Sequence, residues 1–141
     1  MIHSHLGLAH LGFAAVTLTA VLAGCTERLG PSDVAGTYAL ETVNGMPLPL
    51  PGINAPVTGT ITLTATGGAE RRISYTIDEQ GTVREFVATG TFQLMGSELR
   101  LTLQEGTYLW TPSADLVGTT ITLTYPHPAD GPDIVESYRH R

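Results

Sequence analysis

The sequence predicts an all-β fold, an antiparallel up-and-down meander closing into a small eight-stranded barrel, and three observations predict it. Apolar residues recur at every second position along several short runs, the pattern of a strand with one buried face. Turn residues punctuate those runs at close intervals. Threonine dominates the polar face of the runs, as expected where a β-branched side chain must tolerate water. No stretch after Val34 carries helical spacing.

The strands follow in order. The first is read at 36–43, entered through Gly36-Thr37-Tyr38 with Tyr38 and Leu40 inward and ended by Asn44-Gly45. The second, 57–66, alternates as Thr60-Ile61-Thr62-Leu63-Thr64 and stops at Gly67-Gly68. The third, 71–78, turns Ile73, Tyr75 and Ile77 inward and ends at Asp78-Glu79-Gln80-Gly81. The fourth, 82–94, is the longest, with Phe86, Phe92 and Leu94 inward, and Met95-Gly96 follows it. The fifth, 97–104, sets Leu99, Leu101 and Leu103 on one face. The sixth, 106–111, points Tyr108 and Trp110 inward, and Ser113-Ala114-Asp115 reads as the turn after it. The seventh, 118–125, carries Ile121, Leu123 and Tyr125 inside, and the eighth, 134–140, carries Tyr138. Short connections favour pairing in chain order, and closure removes exposed edges.

The remainder of the chain reads as an address and a tether. From Leu11 to Gly24 no residue is charged, and the run is short for a ~20-residue membrane span. It ends in Leu22-Ala23-Gly24-Cys25, which resembles the lipobox of bacterial lipoproteins, where cleavage precedes a cysteine carrying a diacylglyceryl thioether. Cys25 is the only cysteine, so no disulfide within the chain competes for it. The division expected is a signal peptide over 1–24, a lipidated cysteine and tether over 25–33 and a barrel over 34–141. The alternative for the first segment is an uncleaved anchor running back to Leu6. Thr26 follows the cysteine in place of the Asp that resembles an inner-membrane retention signal in some two-membrane bacteria, so the resemblance favours the outer membrane over the inner.

Gly36-Thr37-Tyr38, Val43-Asn44-Gly45-Met46-Pro47-Leu48-Pro49, Gly90-Thr91-Phe92 and the closing Tyr138-Arg139-His140-Arg141 together resemble the small bacterial lipocalin-like lipoproteins. The resemblance implies an eight-stranded up-and-down barrel, and several lipocalin-type relatives bind apolar ligands.

Charge and length narrow the function. Among 141 residues stand 7 basic and 13 acidic side chains, net charge −6, which disfavours nucleic acid as a partner. The length disfavours a two-domain enzyme with a cofactor domain. His127 with Asp130 and Asp133 is the nearest approach to a metal-ligand spacing, and neither a metal site nor a nucleophile motif is read from it. No catalytic residue and no cofactor are expected. Arg71 and Arg72, beside the Gly-Gly turn, read as solvated charges or as weak contacts with anionic head groups, joined by Arg28.

The candidate binding residues are Met46, Leu48, Leu50 and Ile53 in the proline-stiffened loop 44–56, with Tyr108 and Trp110 as the floor of a shallow pocket. The loop is either a lid over an apolar mouth or a plug that seals the barrel end. The expected function is therefore a membrane-tethered module binding a small apolar molecule or peptide. Its alternative is a structural or protein-interaction lipoprotein of the envelope with a filled barrel, a protease-inhibitor-like role included.

Overall fold

A computed structural model describes residues 29–141, so the predicted signal peptide, Cys25 and most of the tether lie outside the described residues. The chain begins with a single 3-10 turn at Pro31–Asp33, closed by the Gly30 N–H on Asp33 Oδ2 at 2.7 Å. Ten strands follow: β1 Gly36–Val43, β2 Met46–Pro47, β3 Ala55–Leu63, β4 Gly68–Thr76, β5 Val83–Met95, β6 Glu98–Glu105, β7 Tyr108–Trp110, β8 Ser113–Val117, β9 Thr120–Tyr125 and β10 Ile134–His140. Eight walls make a closed antiparallel barrel in meander order, and β10 returns to β1 with Tyr38 opposite His140 and Leu40 opposite Tyr138. The two-residue β2 only folds back on the end of β1.

The predicted sixth strand is half of the real one. Leu103 pairs Trp110 in β7 and Glu98 pairs Asp115 in β8, two pairs in one register along β6. Thus β7 and β8 form one wall of the barrel, interrupted where Pro112 has no N–H to give to the ladder. Ser113-Ala114-Asp115 is strand, not turn, with Ala114 buried between two exposed neighbours. The proline and the polar residues around it carry a turn signature, while pairing to β6 decides the outcome.

Boundaries shift elsewhere for similar reasons. β3 ends at Leu63, because Thr64 Oγ1 accepts the Gly68 N–H at 2.8 Å and starts the turn early. That lets β4 begin at Gly68 and brings Ala69 and Arg71 onto its inner face with Ile73. Ile77 was expected inside; it lies one residue beyond β4 and is exposed, since the wall ends beneath it.

The core is otherwise the alternating set. Tyr38, Leu40, Ile61, Leu63, Ile73, Phe92, Leu99, Leu101, Leu103, Ile121, Leu123 and Tyr138 are all buried, and Tyr75, Phe86, Leu94 and Trp110 pack partly buried against them. Each fully buried aliphatic side chain contributes about 1.5–3 kcal/mol.

The two ends differ. At one end, where the chain enters, Val34 is buried, its carbonyl accepts the Tyr38 hydroxyl at 2.8 Å, and Tyr38 meets His140 edge to face at 4.9 Å. The loop after β1 lies at the other end. Leu48 and Leu50 pack on the core, tied by Leu48 N–H to Glu41 and Leu50 N–H to Pro56, whereas Met46 and Ile53 stay exposed. The loop therefore closes part of that end and leaves part open.

Candidate functional site

Period two on two strands builds the site. On β4, Arg71 shares its face with Ile73 and Tyr75; on β10, Glu136 shares its face with Ile134 and Tyr138. Closing the barrel brings these faces together, and the buried charges pair: Arg71 is 5% exposed and Glu136 1%. Arg71 Nε donates to Glu136 Oε2 at 3.1 Å and to the Tyr138 hydroxyl oxygen at 3.0 Å, and Arg71 Nη2 donates to Glu136 Oε1. Two hydroxyls complete the carboxylate, Tyr125 on Oε1 at 2.7 Å and Tyr138 on Oε2 at 2.6 Å. Charged groups out of water must be paired and hydrogen-bonded in this way. The reading of Arg71 as a solvated charge is therefore corrected, whereas Arg72, next along the strand, does face water and pairs with Glu70 and Glu85.

Aromatic side chains surround this cluster. The Arg71 guanidinium carbon lies 5.4 Å from the Trp110 ring centre and 6.0 Å from that of Tyr125, within cation–π range. Trp110 and Tyr125 meet edge to face at 5.4 Å, and Tyr75 and Phe86 do so at 5.6 Å.

Above the cluster the barrel is open. One lobe of about 860 Å³ is lined by Arg71, Tyr108, Trp110, Tyr125 and His127, among others. A second, of about 480 Å³, is lined by Arg71, Ile73, Phe86, Ile134 and Asn54. Tyr75, Glu105, Tyr125 and His127 border both, so the lobes are parts of one mouth with Arg71 at its floor. Tyr38 and Phe92 are packed below, so the mouth is shallow and the lower barrel is filled. A separate depression of about 370 Å³, lined by Leu29, Val34 and Leu116, lies at the opposite end.

The structure brings two of the predicted binding residues to this mouth, Tyr108 and Trp110. Tyr108 has the inward phase but stands above the rim at 70% exposure, which corrects its placement inside the barrel. Met46, Leu48, Leu50 and Ile53 do not line the mouth; the loop contributes Asn54 instead. Cys25 lies outside the described residues. His127 borders the cavity with Nδ1 accepting the Ala129 N–H at 3.1 Å, and among the described residues no three His, Cys, Asp or Glu side chains converge. Arg71, Glu136, Tyr75 and Glu105 went unrecognised as a group in the sequence. The available signal was phase alone, since both charges alternate with apolar residues of an inner face.

Burial raises the hydroxyl pKa of Tyr75, Tyr125 and Tyr138, and the Glu136 carboxylate raises all three further, while Arg71 works the other way. Burial opposes the Arg71 charge as well, but Tyr138 and Glu136 outweigh it and hold the guanidinium well above its usual range. The folded state thus keeps phenolic protons that an unfolded chain releases near the ordinary 10.0. Their contribution to stability is complete below about pH 10 and declines above it. In an alkaline titration the phenolate absorbance of these tyrosines is expected to emerge only together with unfolding. Its gradual appearance in a chain that keeps its β circular dichroism would contradict the burial.

Fold and site define a class: a small closed meander β-barrel, filled below and open at one aromatic-lined mouth. No protein family, curated protein or solved structure matches the chain.

Proposed function

We infer that this chain is a lipid-anchored lipoprotein of the bacterial envelope, attached through Cys25 and favouring the outer membrane, whose barrel mouth binds a small apolar molecule or an apolar peptide side chain. The observation that carries the binding part is the mouth itself, about 860 Å³ in its larger lobe and walled by Trp110, Tyr125 and Tyr108 over the Arg71–Glu136 pair. Concave, mostly aromatic sites with few fixed polar groups are how proteins take up small ligands. The lipid anchor is supported by Leu22-Ala23-Gly24-Cys25 and by the solitary cysteine. Leu29 and Val34, which border the expected tether, line the smaller depression at the end opposite the mouth.

Pyrene, a compact apolar fluorophore without polar atoms, tests the binding. The chain has one tryptophan, Trp110, so energy transfer from it reports binding to the barrel, and a substitution in the mouth locates the site. Saturable transfer is expected, weakened at least tenfold by Phe86→Ser, which places a hydroxyl in the smaller lobe. An intact barrel with no saturable transfer would favour the second reading, a structural or protein-interaction lipoprotein, which the filled lower barrel supports. For the anchor, Cys25→Ser is expected to leave the chain unprocessed or released. Ordinary cleavage and membrane retention of that variant would overturn the lipobox.

A further inference from the structure

Arg71 carries more donors than its partners use. Nε and Nη2 serve Glu136 and Tyr138, and the Tyr75 hydroxyl also draws on the guanidinium, which still leaves N–H capacity at Nη1 among its five donors. No buried side-chain nitrogen or oxygen among the described residues lacks a partner. Arg71 borders both lobes of the mouth, and its small residual exposure is the side it turns to the cavity. A guanidinium nitrogen held in place by three other bonds, beneath two pairs of aromatic rings, is a preorganised donor for a ligand oxygen.

The charges around it decide what kind of oxygen. Arg71 is neutralised by Glu136 at bonding distance, and the adjacent Tyr125 and Tyr138 keep their protons. The rim adds Glu105 and His127, which border both lobes, and Asp133, which borders the larger. An anionic ligand would set its charge against Glu136 and Glu105, and like charges repel. A cationic ligand would meet a guanidinium already stacked on Trp110 and Tyr125.

We propose that the ligand of the mouth is an uncharged molecule with an apolar, ring-like body and a carbonyl-type oxygen, the oxygen accepting from Arg71 Nη1 and the body lying against Trp110, Tyr125 and Phe86. This rests on the mouth being a binding site, and it names the chemistry of the occupant. Arg71 is the residue that reads the oxygen; the aromatic rings supply contact area without selecting among apolar bodies.

Calorimetric titration of the full chain with four naphthalenes tests it: 2-acetylnaphthalene, 2-ethylnaphthalene, 2-naphthoate and 2-(aminomethyl)naphthalene. The ketone is expected to bind at least tenfold tighter than each of the others. In Arg71→Met/Glu136→Met, which removes both floor charges, the ketone and the ethyl compound should bind alike. If that variant does not fold, the ranking on the natural chain decides. Naphthoate binding as tightly as the ketone would overturn the proposal in favour of an anion site, and tightest binding of the amine in favour of a cation site at Glu105. Equal binding of ketone and ethyl compound would show that Arg71 reads nothing. In each of these cases saturable pyrene transfer leaves the mouth standing as an apolar site; loss of pyrene transfer as well removes both readings.

Discussion

Glu136→Ala is expected to lower folding stability by about 3–5 kcal/mol, the range for breaking one side of a buried ion pair. The carboxylate sits at 1% exposure and serves Arg71, Tyr125 and Tyr138 at once. Its removal strands a guanidinium that has no route to water except the shallow mouth, and it leaves two hydroxyls without their acceptor. Arg71→Met alone should cost a similar amount, because the stranded charge is then the carboxylate. Arg71→Met/Glu136→Met should cost far less than the two singles added together, since no uncompensated charge remains and thioether side chains fill irregular space. Chemical denaturation of the natural chain, Arg71→Met, Glu136→Met and Arg71→Met/Glu136→Met, read as a double-mutant cycle, measures this directly. Additive losses would mean that the pair is not coupled and that the site is wetter than the geometry says.

The second large effect is expected from a residue with no side chain. Gly90 lies within β5 opposite Leu103 of β6, and a Cβ built there falls well inside contact with the Thr102 carbonyl oxygen and 2.9 Å from its carbon. The obstacle is backbone of a paired strand, so relief requires β5 and β6 to part, not one rotamer to change. Glycine within a long strand marks such close approaches and tight bends of a barrel wall. Gly90→Ala should therefore cost about 3 kcal/mol or more, at the upper end of overpacking. Gly30→Ala is the control: its Cβ would have only ordinary contacts, 3.6 Å from Asp33 Oδ2, and a change within about 0.5 kcal/mol is expected. Comparable thermal and denaturant midpoints for Gly90→Ala and the natural chain would show that β5 and β6 tolerate separation.

These two effects mark the boundary between what local pattern reveals and what pairing decides. The alternation through Ile61-Thr62-Leu63, Leu99-Arg100-Leu101 and Ile121-Thr122-Leu123 was enough to read strands, inner faces and a meander that closes, because period two is a property of each strand by itself. All six of those aliphatic residues are buried. The same local rule misjudged Ser113 to Asp115, where turn-forming residues are held extended by a neighbour, and it placed Tyr108 and Ile77 inside without knowing where the wall ends. Of the mouth's lining, the residues singled out from the sequence were Tyr108 and Trp110. The apolar loop residues Met46 and Ile53 looked like a mouth and turned out to face water, with Leu48 and Leu50 packed on the core.

By itself, then, the sequence determined an all-β meander of eight walls, most of its core and most of its turns, for each follows from residues near one another in the chain. Only the tertiary structure decided that Arg71 and Glu136, 65 positions apart, are partners, and that a mouth opens above them. Which inward side chains meet across a barrel depends on register and closure, summed over every strand pair between them. A charge in phase with an apolar face is a conflict until the strand that resolves it is known.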